Sequence, residues 1–392
     1  MKEKILYIWF QLATGICNKV AGEVFIKFRN IVDIYNCDDF SFLGDKREKY
    51  IKRLENKDTA EAFEILKRCR EMGVGVTGYY DSLYPDSLRG IDNPPAVLYS
   101  IGEFRDLNKI PCVGIVGTRN MTDYGKTIAE DFARSFAKNG IYVISGLAKG
   151  IDTAAHRGAV TAGGYTVAVL GNPIGEVYPK ENLKAFETLY EKGLVISEMY
   201  PGCPRTKADF PNRNRIISGI SDCVLIAEAG ETSGSLITAR HAVSQGRDVF
   251  AIPGAVGAAN AGTNALIKQG ISAATEPKDI ISALVLRYPE ILKYYEPENT
   301  SKLRSYGNAA VSPPPVIKVA AEEIIKEHEP EFDGSNASKI LSLLKQSNSM
   351  TADEITSKTG LPVSEVLSEL TLLEIEGEVS VSVGGRYTLS KA

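Results

Sequence analysis

Two periodicities divide the chain. From Pro111 to about Leu286, apolar stretches at 112–116, 142–145, 165–170, 194–197, 223–227 and 249–252 alternate with helical patterns at 124–139, 152–161, 182–192 and 233–245. Apolar strands alternating with helices predict a parallel sheet covered on both faces, here a doubly wound, Rossmann-like α/β domain. Gly140, Gly193 and Gly246 each fall between a helix and the next strand, where a left-handed C-terminal residue is wanted.

The flanks read differently. Residues 58–72 place Ala62, Phe63, Ile65, Leu66 and Cys69 on one helix face. The segment from Leu12 to Lys19, followed by a helical pattern through Phe28, admits two readings. It is either a helix-hairpin-helix that points backbone N–H groups at a phosphate, or a plain helical hairpin, since Gly15 alone supplies the flexible turn. Residues 295–335 carry too much proline and charge to make a core and read as a linker with one short helix. Helices at 337–345, 352–359 and 363–375, then strands at 379–383 and 386–389 around Gly384-Gly385, follow the order of a winged helix. The expected division is a helical domain at 1–90, the Rossmann-like domain at 91–290, a linker at 291–334 and the winged helix at 335–392.

Charge changes this picture only locally. Forty-five basic residues against 49 acidic ones leave a net charge of −4, and the pI is near 5.7. That is not the global footprint of a nucleic-acid protein, but a local basic strip can sit on an acidic molecule. No apolar run approaches the roughly 18 residues of a membrane span, and Ile5 to Phe10 is too short for a signal core. Cys17, Cys37, Cys69, Cys112, Cys203 and Cys223 form no CxxC pair, and histidines number three. The expectation is a cytoplasmic protein without metal or other cofactor and with reduced, buried cysteines.

The candidate chemistry lies at strand ends. The first strand runs into Gly117-Thr118-Arg119, which is not a dinucleotide fingerprint but offers a guanidinium at the crevice where open α/β sheets bind ligands. The second delivers Ser145-Gly146-Leu147-Ala148-Lys149-Gly150, glycines that let backbone approach a ligand before a helix N-terminus. Asp152 reads as an N-cap rather than a general base, and His156 has no acidic partner at useful spacing. Between Arg205 and Arg215, four cations and one anion surround Phe210-Pro211. Basic side chains around an exposed aromatic suit phosphates and unstacked bases; the competing reading pairs Arg213 and Arg215 with acidic neighbours. The fifth strand ends in Glu228, followed by Gly230 to Ser235 at another helix start. Four such segments on one rim suggest an extended anion-binding surface. No nucleophile–base pair or paired carboxylates accompany them.

Tyr84-Pro85 with Leu88, Pro94-Pro95, Gly117-Thr118-Arg119, Ser145-Gly146-Leu147-Ala148 with Gly150-Ile151-Asp152, Gly171-Asn172 with Tyr178-Pro179 and Asn182 form an ordered series. It continues through Phe210-Pro211 with Arg213-Asn214-Arg215, Ser233-Gly234-Ser235 with Thr238-Ala239, Pro253-Gly254 and Gly262-Thr263-Asn264. Over residues 75–275 this series resembles the bacterial DNA-processing protein A (DprA/Smf) family. The resemblance implies a non-enzymatic single-stranded DNA-binding protein that protects incoming strands during natural transformation and loads RecA recombinase, often as a homodimer. It also implies an N-terminal domain of sterile-alpha-motif or helix-hairpin-helix type and a C-terminal winged helix. The family's DNA-contacting arginine falls on Arg119. The expected DNA-binding set is Gly117, Arg119, Ser145, Gly146, Lys149, Gly150, Phe210, Arg213, Asn214, Arg215, Gly234 and Ser235. The third helix of the C-terminal unit carries Glu365, Glu369 and Glu374, followed by Glu376, and no Lys or Arg. It reads as a protein-interaction module rather than a groove reader.

An enzymatic alternative is a nucleotide phosphoribohydrolase of the lysine-decarboxylase-like family, which the core resembles distantly through Glu228 and the 230–235 loop. The loop lacks that family's Pro-Gly-Gly start. A duplex-DNA regulator acting through the winged helix is a further reading, opposed by the acidic third helix.

Overall fold

The structure is a computed structural model describing residues 2–178, 182–206, 208–292, 336–347, 349–375, 378–382 and 386–389. Contacts divide the chain into two units, Met1–Tyr295 and Glu296–Ala392.

The larger unit is built on a nine-stranded sheet: β1 (Gly75–Gly78), β2 (Val97–Gly102), β3 (Cys112–Gly117), β4 (Tyr142–Ser145), β5 (Thr166–Leu170), β6 (Leu194–Ser197), β7 (Cys223–Glu228), β8 (Asp248–Ala251) and β9 (Ser272–Ala273). Their order is β1-β2-β6-β5-β4-β3-β7-β8-β9. From β6 across to β9 every pairing is parallel, while β1 and β2 join antiparallel beyond β6. The doubly wound expectation holds, and its six strands match within a residue or two. The antiparallel pair β1–β2 was not among them.

Side chains alternate between the faces of the sheet, as the two-residue period requires. Val167, Val169, Leu194 and Ile196 enter one core. Ala168, Leu170 and Val195 enter the other, together with Tyr7, Ile8 and Phe10 of α1 (Lys2–Thr14) and Ile65, Leu66 and Cys69 of α5 (Ala60–Glu71). The N-terminal helices, which also include α2 (Lys19–Lys27), α3 (Ile31–Asn36) and α4 (Glu48–Glu55), thus share a core with the sheet. Between the strands run α6 (Asp86–Arg89), α7 (Asp123–Lys138), α8 (Ile151–Thr161), α9 (Leu183–Lys192), α10 (Asp209–Ile220), α11 (Ser235–Ser244) and α12 (Ala261–Lys268). Gly140 and Gly246 take the expected left-handed conformation (φ 72° and 69°). Gly193 does not: at φ −150° it is extended, and an added Cβ would meet the Thr166 carbonyl oxygen at 2.6 Å.

The smaller unit has helices Asn336–Gln346, Ala352–Thr359 and Val363–Ile375 and a three-stranded sheet of Met350–Thr351, Arg386–Leu389 and Val379–Ser382. Ile340, Leu344, Ile355, Val366, Leu370 and Val379 form its core, and Gly360 closes the second helix at φ 70°. This is the predicted winged-helix order. The Gly384-Gly385 turn and most of the predicted linker lie outside the described residues.

Candidate nucleic-acid interface

A pocket of about 250 Å³ opens where β3, β4 and β5 end and α10 begins. The loop after β3 is pinned from both sides: Thr118 N–H donates to the Glu228 carbonyl at 2.8 Å, and the Thr118 carbonyl accepts from Ile151 N–H at 3.2 Å. Arg119 is left exposed at the mouth. The loop after β4 passes so close to it that an added Cβ on Gly150 (φ 90°) would meet the Thr118 and Arg119 carbonyl oxygens at 2.4 and 2.6 Å. Only glycine fits there. Lys149, one residue earlier, is exposed on the pocket wall.

The first turn of α10 closes the opposite side. Phe210 packs on Gly171, whose added Cβ would lie 2.9 Å from the Phe210 Cα. Its ring lies 5.3 Å from that of Tyr178, which is 43% exposed, and the Arg205 guanidinium sits over Tyr178 at 4.9 Å. At the base, Arg213 donates from Nη1 to the Gly146 carbonyl at 2.7 Å and to the Val169 carbonyl. Burial lowers its pKa to about 10, opposed by the nearby Asp152 carboxylate and reinforced by Arg119, so the group stays cationic at neutral pH. Three cations, Arg119, Lys149 and Arg213, and an aromatic pair therefore share one concavity. Its volume falls below the ~300–1,000 Å³ of drug-sized ligand pockets.

Of the expected set, the pocket brings together Arg119, Gly146, Lys149, Phe210 and Arg213. Gly117 and Gly150 back the loops, and Ser145 is committed to the Ile115 carbonyl at 2.6 Å. Asn214 reaches the Gly234 carbonyl at 3.4 Å, linking α10 to the next turn. There Gly234 is exposed and Ser235 is buried against Ser233 Oγ at 2.8 Å. Arg215 requires a correction: it is 1% exposed and paired with Glu198 at 2.7 Å, so it faces the interior and not a phosphate. The cause is helical. Residues 209–220 form a helix, and only part of its circumference meets the pocket.

Tyr178, Asn172 and Arg205 were not in the expected set; the signal available was the aromatic and basic spacing around β5 and β6. Asp152 is not the N-cap, a place held by Gly150. Its buried carboxyl accepts from Gly146 N–H at 3.1 Å, and burial raises its pKa despite Arg213 and the loop N–H groups. The hairpin after α1 directs the Cys17 N–H at Glu198 Oε1, 3.2 Å away, a carboxylate of the chain itself. Glu228 is fully buried, with its oxygens accepting from Thr122 N–H at 2.8 Å and Thr122 Oγ1 at 2.6 Å. Among the described residues no His/Cys/Asp/Glu cluster could hold a metal ion, and no helix is long and apolar enough to cross a membrane.

The family model for DNA recombination-mediator protein A matches residues 75–285, and one for the DprA winged helix domain matches 327–385. The chain belongs to the DNA recombination-mediator protein A family. It is 38% identical to the DNA processing protein DprA of Bacillus subtilis over 253 residues, covering 63% of this chain and 84% of that protein. The solved structure of DprA from Streptococcus pneumoniae matches with a TM-score of 0.59 and 33% identity, covering 71% of this chain and 97% of that one. The DNA processing protein A of Helicobacter pylori, described for its single-stranded DNA binding mode, matches at TM-score 0.50 and 29% identity, covering 55% and 97%. In this DprA-family chain the domain match spans every residue that lines the pocket.

Proposed function

We propose that this DprA-family protein binds single-stranded DNA at the strand-end pocket, taking one unstacked base against Phe210 and Tyr178 while Arg119 and Lys149 hold the flanking phosphates. The observation that carries the reading is the aromatic pair at 5.3 Å beside cations in one concavity. Stacking is available to any base, so recognition is tolerant of sequence. A duplex keeps its bases paired and stacked and can offer only its phosphates, so single strands are preferred.

The role that follows is protection of incoming strands and loading of RecA recombinase in the cytoplasm, by a homodimer and without catalysis. The proposed organisation is 1–90, 91–290, 291–334 and 335–392, the first two parts sharing one core and one sheet and the last a protein-interaction module. Against hydrolysis of nucleotides speaks Glu228, whose oxygens are engaged by Thr122. Titration of labelled single-stranded and duplex oligonucleotides at two salt concentrations tests the binding. Single strands are expected to bind more tightly, with log affinity falling against log salt by about 0.7 per phosphate neutralised. Arg119→Ala is expected to weaken every sequence alike and flatten that slope. Equal affinity for both forms, or an unchanged slope in the variant, overturns the reading.

A further inference from the structure

Helix α10 faces two ways. Its first two turns give Phe210 and Arg213 to the pocket, while Arg215 points into the interior behind them. The first turn has no side-chain N-cap hydrogen bond, since Ala208 precedes it. Arg215 supplies a hold of another kind. Its Nη1 donates to the Asn212 carbonyl at 3.1 Å, in the peptide that joins Asn212 to Arg213. Its Nη2 donates to both Glu198 oxygens at 2.8 and 2.7 Å, and its Nε to the Asn93 carbonyl at 3.1 Å.

Glu198 is in turn gripped by the N-terminal helices. Cys17 N–H donates to its carboxylate, and Gln11 Nε2 donates to its backbone carbonyl at 2.8 Å. The side chains of Arg215 and Glu198 are 2% and 9% exposed. Such a buried pair is a poor way to gain stability, because desolvation offsets the attraction and apolar residues of similar volume do as well or better. What apolar residues cannot reproduce is the directional, charge-assisted hold of one guanidinium on the Glu198 carboxylate and on the Asn93 and Asn212 carbonyls at once.

We propose that the Glu198–Arg215 pair, closed by the Cys17 N–H, is a positioning device: it fixes the first turn of α10 so that Phe210 meets the base. The N-terminal helices thereby set single-strand affinity without touching DNA. This rests on the binding reading above.

The test uses the full chain with four sequences: wild type, Glu198→Leu with Arg215→Met, Phe210→Ala, and all three changes together. Labelled oligothymidylate is titrated at several salt concentrations, and thermal midpoints are recorded. Because both charges leave together, the paired variant is expected to fold, its midpoint lowered only by the Cys17 N–H and the Asn93 carbonyl that lose their partners. Its dissociation constant is expected to rise roughly fivefold or more through lost coupling to Phe210, with the salt slope unchanged because no phosphate contact has gone. In the Phe210→Ala background the same paired change is expected to have no further effect.

Wild-type affinity in the paired variant overturns the proposal. So does an equal loss with and without Phe210, which marks a merely structural role, or a flattened salt slope, which marks a phosphate ligand. Should the paired variant not fold, Glu198→Gln keeps the volume and one good acceptor. It is expected to weaken binding in the same direction, and unaltered affinity there also overturns the proposal. A wild-type chain that ignores single strands sinks the functional reading itself. Wild-type binding with an indifferent paired variant sinks only the positioning role.

Discussion

His156 shows how burial decides what a titratable residue does. Its Nδ1 lies 2.7 Å from Thr166 Oγ1, whose own hydrogen goes to the Val143 carbonyl at 2.6 Å. The imidazole must therefore donate from Nδ1, and its Nε2 is buried without a partner among the described residues. Desolvation first, and then the charge of Arg213, lower its pKa from 6.5 to about 3. The unfolded chain takes up a proton below its ordinary value that the folded chain refuses until about pH 3. Stability is therefore expected to fall as pH drops through that window, at about 1.4 kcal/mol per pH unit for this group. His156→Gln is expected to flatten the dependence, as urea midpoints measured between neutral and mildly acidic pH will show. At Gly150 backbone geometry decides. Its positive φ and the two carbonyl oxygens an added Cβ would strike lead to an expected loss of about 1–3 kcal/mol in Gly150→Ala. The Arg119 loop must shift with it, so single-strand affinity is expected to fall as well. A variant with wild-type urea midpoint and affinity contradicts both.

At the scale of elements, the six parallel strands β3 to β8 were legible because each is a largely buried run of apolar residues, and β4 and β6 fall on the residues their pattern predicts, whereas β9, two exposed residues, carries no such signal. β1 and β2 were not. β1 is four residues with glycine at both ends, and the register that draws these strands antiparallel onto β6 is tertiary. The basic segment around Phe210 turns helical at Asp209 and takes Pro211 in its first turn, a place where proline costs little. Sequence thus gave Arg119, Lys149 and Phe210 as neighbours of one rim. It could not separate Arg213 from Arg215, because two residues along a helix turn a side chain by about 200°. The start of α7 carries its own test. Thr122 Oγ1 accepts from Gly125 N–H at 3.1 Å and donates to the buried Glu228. Thr122→Ala removes a cap and leaves Glu228 short of a donor, an expected cost of about 1–2 kcal/mol. Thr122→Ser should restore it in thermal melts.

At the scale of the whole chain, the N-terminal helices and the sheet constitute one cooperative body. Tyr7, Ile8 and Phe10 of α1 lie in the same cluster as Val97 and Tyr99 of β2 and Leu170 of β5, so neither part has a complete core alone. Fully burying one such side chain is worth about 1.5–3 kcal/mol, and splitting the cluster forfeits several at once. The single tryptophan, Trp9, is 3% exposed within this cluster and donates to the Asn56 carbonyl at 2.8 Å. Its fluorescence therefore reports the helical side alone, whereas far-UV circular dichroism is dominated by the remaining helices and the sheet. Two parts that share a core must unfold together. The Trp9 transition in urea is expected to coincide with the main dichroism transition of the full chain. A Trp9 midpoint at clearly lower urea would mean that the helices detach first, and the grip on Glu198 from Gln11 and Cys17 would then be lost while the sheet still stood.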